Sequence, residues 1–241
     1  MKLNKNYSKD TNLDKIYLDG SYLNQNQTWH SEDSQWKSEQ IENLLKRNSI
    51  IPESICEVGC GAGEVLNQLS NIYIESQLTG FEVSPQAFEL SKSRESRRVH
   101  FVLGDIFDNY DNYDILLCLD VFEHVPDYLG FISNLRKRAR YKVFHVPLDI
   151  SVLSVLANRM TNSRASMGHL HYFTAQSALN TIEDCGYKII DSFYTQGFLR
   201  HSRSRKFISR LALFPRKLLY FISPDFSVRI FGGCSLIILA E

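Results

Sequence analysis

The sequence predicts an α/β fold built around a mostly parallel sheet, and three observations carry that prediction. After Pro52, short apolar runs alternate with stretches of helical periodicity. A loop with glycine at alternate positions joins the first apolar run to the first of those helices. Acidic residues then stand at the ends of successive runs. Strands separated by helices need crossover connections, which place the strands parallel and the helices on the sheet faces.

The elements follow in order. Residues 1–30 are polar with scattered aromatics and read as an N-terminal arm. From Ser31 to Arg47, Trp36, Gln40, Ile41, Leu44 and Leu45 recur at helical spacing, and Ser31 followed by acids can cap. The apolar runs 54–58, 77–83, 99–104, 113–119 and 141–147 predict strands, with helices near 63–70, 85–95 and 127–139. Ser84-Pro85 fits a helix start, with serine at the cap and proline in the first turn. Residues 148–173 read as an insertion, apolar at first and then polar. A helix over 174–185 ends at Gly186, a strand follows at 187–195, and the run 231–240 makes the last strand. The resulting division is an arm and helix over 1–50 and one domain over 51–241, with insertions at about 148–173 and 197–228.

Composition bounds the function classes. The chain has 241 residues, 44% of them hydrophobic, which suits one domain with a sizeable core. Its 27 basic and 27 acidic residues cancel, so it lacks the global field of a dedicated nucleic-acid binder. The balance is local, however: Arg200, Arg203, Arg205, Lys206, Arg210, Arg216 and Lys217 occur between 199 and 224 without a carboxylate. No run has the roughly 18 apolar residues of a transmembrane helix, and the N-terminal residues lack a secretory pattern. The five cysteines form no CxxC pair, which argues against a cysteine zinc site or a disulfide framework. These features predict a reduced cytoplasmic protein.

The sharpest motif is ICEVGCGAGEVL, residues 55–66. Glycine tolerates positive φ and carries no side chain, so Gly59, Gly61 and Gly63, with Cys60 between them, let a ligand lie against the backbone. Glu82 at the end of the second strand can accept hydrogen bonds from both hydroxyls of a ribose. Asp105, after the third strand, can hold an exocyclic amine. Glu64 occupies the place where a GxGxxG dinucleotide loop has its third glycine, and a carboxylate there would oppose a pyrophosphate. No GxxxxGK[ST] sequence is present, so a P-loop is excluded.

The series ExGxGxG (57–63), GFEVSP (80–85), GDIF (104–107) and YDILLCLDVFEHVPD (113–127) resembles the class I S-adenosylmethionine-dependent methyltransferases. It is most similar to a small-molecule branch whose fourth motif ends in EHV, over about residues 50–195. The resemblance implies a doubly wound, Rossmann-like sheet of seven strands with the last antiparallel. It also implies contacts to the cofactor S-adenosylmethionine. Glu57, Gly59 and Gly61 would lie near its methionine part and Glu82 at the ribose. Asp105 with the Ile106 amide would meet the adenine, Val83 would pack on the adenine face, and the Cys118–Leu119 backbone would lie near the sulfonium.

Methyl transfer to a hydroxyl requires loss of a proton, and His124, His145, His169 and His171 are the candidate bases by position. If residues 120–124 are helical, Asp120, Glu123 and His124 share one face. With His169 or His171 they would then suit magnesium or manganese, similar to the ExxEH arrangement of some metal-dependent O-methyltransferases. The alternative is a structural role for the pair, and the sequence assigns no metal ligand. Over 200–226, Phe207, Ile208, Leu211 and Phe214 follow helical spacing beside basic residues. That segment reads either as a lid or as a peripheral membrane contact through 200–222. The function expected is methylation of a hydroxyl on a small, sugar-linked or lipid-linked acceptor. The rivals are metal-assisted RNA 2′-O-methylation and a non-catalytic S-adenosylmethionine-binding protein.

Overall fold

A computed structural model describes residues 31–109, 111–197 and 213–241. The N-terminal arm, and residues 200–212 of the amphipathic segment predicted over 200–226, lie outside the described residues. Seven strands form one sheet: β1 (Ser54–Val58), β2 (Gln77–Glu82), β3 (Val99–Leu103), β4 (Tyr113–Leu119), β5 (Ala139–Pro147), β6 (Ile189–Thr195) and β7 (Ser235–Ala240). Their order is β3-β2-β1-β4-β5-β7-β6. The first five strands pair parallel, and β7 runs antiparallel to both β5 and β6. The mostly parallel sheet and its antiparallel last strand are both as expected.

The central strands are apolar on both faces because helices cover both. In β4, Ile115, Leu117 and Leu119 enter one core, while Leu116 and Cys118 enter the other. On the first face, α1 (Ser34–Arg47) and α2 (Glu64–Ile72) supply Ile41, Leu44, Leu45, Val65, Leu66 and Leu69. Helix α1 therefore shares a core with the sheet, and the boundary read at residue 50 does not separate two packing units. The opposite core takes residues from α4 (Tyr128–Leu135) and α7 (Ala175–Asp184). Between β2 and β3 lies α3 (Pro85–Ser91), capped by Ser84 with Pro85 in its first turn.

The insertion after β5 folds into α5 (Val152–Leu156) and α6 (Arg159–Met167). Before β7 come α8 (Leu213–Ile222) and α9 (Pro224–Phe231), and α9 packs against α5. No helix among the described residues is long and apolar enough to cross a membrane. All five cysteines are free and buried.

Candidate functional site

Parallel pairing delivers the carboxyl ends of β1 to β5 to one edge of the sheet, and almost every sequence-predicted site residue lies there. The loop after β1 turns sharply: Gly59, Gly61 and Gly63 have φ of 67°, 56° and 76°. The Gly59 and Cys60 amides both donate to the Phe81 carbonyl, at 2.8 and 3.1 Å, which ties the loop to β2. A Cβ on Gly63 would stand 2.4 Å from the Phe101 ring, so the third glycine is fixed by packing of α2 against β3. The Cys60 side chain is buried.

Glu82 lies buried at the end of β2. Its carboxylate accepts from the Gly61 amide at 2.8 Å and from the Ser84 amide at 2.7 Å. Burial pushes its pKa up, while bonds from the Ser84, Gly61 and Val83 amides pull it back. Glu57 is buried as well, and its Oε2 has no hydrogen-bond partner. Burial drives its pKa up to about 8, with the Lys37 ammonium opposing and Glu82 adding to the rise. An orphaned carboxylate oxygen of this kind costs about 1–3 kcal/mol unless a ligand satisfies it. The unpartnered acceptor, beside a loop whose Gly59 is exposed, fits a cationic, zwitterionic ligand such as the methionine part of the expected cofactor.

Farther along the edge, Val83 is 55% exposed. Asp105 is exposed, and its Oδ1 accepts from the Phe107 amide at 3.0 Å, capping a short turn that buries the Ile106 side chain. Cys118 and Leu119 end β4 with buried side chains. Glu64 pairs with Arg94 and with Gln68 on its own helix, and these contacts, against burial, hold its pKa down.

Past β4 the structure corrects one expectation. Residues 120–124 are not one helical face: Asp120 has φ 54°, and only Phe122–His124 form a short 3-10 turn. The left-handed residue swings the Asp120 carboxylate away from Glu123 and His124. It accepts instead from Lys37 Nζ of α1 at 2.6 Å and from His145 Nδ1 of β5 at 2.7 Å. Burial opposes ionisation of Asp120, but His145 and Lys37 outweigh it and hold its pKa well below the usual carboxylate range. For Lys37, burial likewise pulls down, and the Asp120 charge overrides it to raise the pKa. His145 Nε2 reaches Thr195 Oγ1 of β6 at 2.9 Å, so one buried chain ties α1, β4, β5 and β6. Lys37 was missed in the sequence, where it is one of 27 basic residues and only its neighbour Trp36 carried the helix period.

The other three candidate histidines separate into one pair and one that stands apart. His124 and His169 have ring centroids 5.0 Å apart, and His169 Nδ1 donates to Asp149 Oδ2 at 2.6 Å. Burial and then His169 push the His124 pKa down to about 4, so its imidazole is neutral. Glu123 is buried with neither carboxylate oxygen bonded, and burial raises its pKa strongly, with Asp120 adding to the effect. His171, by contrast, packs on Tyr128 with ring centroids 4.4 Å apart, and its Nε2 donates to the Val125 carbonyl at 3.0 Å. His169 and His171 therefore do not converge on one point.

The strand order, the glycine loop and the carboxylates at the ends of β1 and β2 define a class I methyltransferase, whose cofactor is S-adenosylmethionine. Residues 28–192 match a family model described as a methyltransferase domain, and the chain belongs to that family. Among curated relatives, the ubiquinone biosynthesis O-methyltransferase of Actinobacillus pleuropneumoniae (strain L20) is 22% identical, covering 51% of this chain and 59% of its own. The malonyl-[acyl-carrier protein] O-methyltransferase of Bacillus anthracis is 30% identical over 39% of this chain and 36% of its own. The chain thus spans less than two thirds of the length of these relatives. Two solved structures share the fold. The magnesium protoporphyrin IX methyltransferase of Synechocystis PCC 6803, with S-adenosylhomocysteine bound, superposes with a TM-score of 0.58 at 17% identity, covering 86% of this chain and 82% of that one. A Geobacter sulfurreducens S-adenosylmethionine-dependent methyltransferase, also with S-adenosylhomocysteine, gives 0.57 at 16% identity, covering 84% and 90%.

Proposed function

We propose that this methyltransferase methylates a hydroxyl oxygen on a lipid-linked acceptor that it meets at an anionic membrane surface. The observation that carries this reading is one exposed apolar surface built by the two insertions. Val152, Val155 and Leu156 on or beside α5, and Phe221, Ile222 and Phe226 on or beside α8 and α9, are all solvent-exposed. Leu156 and Phe221 are 78% and 87% exposed, although α9 packs against α5. Neither 150–182 nor 196–224 contains a single Asp or Glu, whereas both contain arginine. Exposed apolar groups beside basic residues, in a chain of zero net charge, suit an acidic headgroup layer. The relatives' names favour oxygen as the nucleophile: two of them are O-methyltransferases.

S-adenosylmethionine supplies an electrophilic methyl on a sulfonium. Glu57 and the backbone of Gly59, Cys60 and Gly61 would hold its methionine part, with Gly63 packing the loop. Glu82 would take the ribose and keep the Gly61 amide in place. Val83, Asp105 and Ile106 would enclose the adenine, and the Cys118–Leu119 backbone would border the reacting end. His145 is held at both nitrogens, which suits a clamp joining four elements better than a mobile base. His171 donates to a backbone carbonyl and is positioned to fix the loop. His124 and His169, neutral or carboxylate-paired, are the groups placed to receive or direct the acceptor proton.

The test is turnover with S-adenosylmethionine on a phenolic lipid in anionic vesicles, against the same phenol in solution. The expected result is a one-methyl mass gain on oxygen, at least about tenfold faster on vesicles. Equal rates would remove the membrane element, and methylation of nitrogen alone would overturn the O-methyl reading.

A further inference from the structure

We propose that Glu123, His124 and His169 form a binding site for a divalent transition-metal ion of the zinc or manganese type. Each offers one donor atom, and these atoms all lie within 4.8 Å of one another. Glu123 Oε1 is 4.0 Å from His124 Nε2. Bonds of about 2.0–2.2 Å to an ion would require each donor to move in by less than about 1 Å.

Three independent features show a built site. Both Glu123 oxygens are buried and without a hydrogen-bond partner, an arrangement that costs several kcal/mol for a charged carboxylate unless a cation compensates it. The Leu170 and His171 amides both donate to the Glu123 carbonyl, at 2.8 and 3.1 Å, pinning the loop that carries His169 against the turn that carries Glu123. His169 donates its Nδ1 proton to the Asp149 carboxylate, which fixes the tautomer with the lone pair on Nε2. A carboxylate behind a histidine is the usual support for a metal-bound imidazole.

The donor set names the ion class. One carboxylate and two imidazoles suit zinc, manganese or iron(II) better than magnesium or calcium, which prefer all-oxygen shells. Three protein ligands also leave coordination positions open. On the O-methyl reading above, the acceptor oxygen would take one of them, and a Lewis acid there would lower the pKa of its hydroxyl so that the proton passes to water, with His124 and His169 acting as ligands in place of the proton-receiving role. This role rests on that reading, whereas ion binding itself does not.

The test is equilibrium dialysis of the metal-stripped full chain against Zn2+, Mn2+ and Mg2+ separately, with retained metal counted by elemental analysis. One equivalent of zinc per chain is expected, with magnesium held at least about tenfold more weakly. Glu123→Gln and His169→Ala should each weaken zinc retention about 100-fold, and Asp149→Asn about 10–100-fold. Calorimetric S-adenosylmethionine binding by each variant serves as the check of folding, and the His169 and Asp149 variants keep the test decisive should Glu123→Gln not fold. No retained ion, or retention that folded variants leave unchanged, overturns the site. A chain that binds zinc but transfers no methyl to hydroxyls keeps the site and loses only the acceptor reading.

Discussion

The two halves of the sheet's carboxyl edge are built on different plans. Over β1 to β3, the site comes from one stretch of chain, residues 57–106, and its shape is set by backbone: three glycines at positive φ and a carboxylate that bonds amides. Over β4 to β6, it comes from side chains far apart in sequence. Lys37, Asp120, His145 and Thr195 meet in one chain, and Glu123, His124, His169 and Asp149 gather in another. The first plan suits a cofactor shared by a whole family. The second can vary with the acceptor while the sheet stays constant.

The largest effect expected on stability comes from the second half. Asp120→Ala strands the Lys37 ammonium in a largely buried place and should lower stability by about 3 kcal/mol, measured by urea unfolding. A loss below about 0.5 kcal/mol would mean that this chain of contacts is not what joins α1 to the sheet. The contribution also has a pH signature. The Asp120 pKa is depressed in the folded state, so its stabilisation is complete above the unfolded value of 3.8 and fades as the pH falls below it.

A smaller, opposite dependence belongs to the cofactor half. The Glu57 pKa is raised from 4.5 to about 8, so the favourable protonated form is lost, and the free protein loses stability, as pH rises between those values. A cofactor ammonium that pairs with the ionised carboxylate reverses this. S-adenosylmethionine affinity should therefore tighten by up to about tenfold per unit between pH 6 and pH 8, and Glu57→Gln should flatten the slope. Isothermal calorimetry at several pH values measures both, and a flat wild-type profile would remove Glu57 from the cofactor contact. The smallest effect on the fold is expected from Leu156→Ser combined with Phe221→Ser. Both side chains are exposed, so the unfolding free energy should move by less than about 0.5 kcal/mol. Sedimentation with anionic vesicles should nevertheless fall about tenfold, and unchanged sedimentation would separate this surface from the membrane.

The same contrast explains what could be read from sequence. The parallel sheet, its flanking helices and the loop from Glu57 to Gly63 are local patterns: apolar runs of strand length, helical spacing and glycines at alternate positions. Glu82 and Asp105 stood out because they end consecutive strands. Lys37 did not, since only tertiary packing of α1 on the sheet brings it to Asp120. The helical reading of 120–124 failed because one residue, Asp120, takes a left-handed conformation that spacing cannot reveal. That single dihedral sends its carboxylate to Lys37 and His145 and leaves Glu123 and His124 to pair with His169. His169 and His171 looked equivalent two residues apart, yet Asp149 draws one and Val125 the other.

The most direct test of the proposed cofactor placement, the central claim, is a calorimetric titration of S-adenosylmethionine into the wild-type protein and into Glu82→Ala. If Glu82 takes the ribose as proposed, removing its carboxylate deletes that acceptor and releases the Gly61 amide, so affinity should fall at least about 100-fold. Equal affinity in the two proteins would place the cofactor elsewhere and contradict the account.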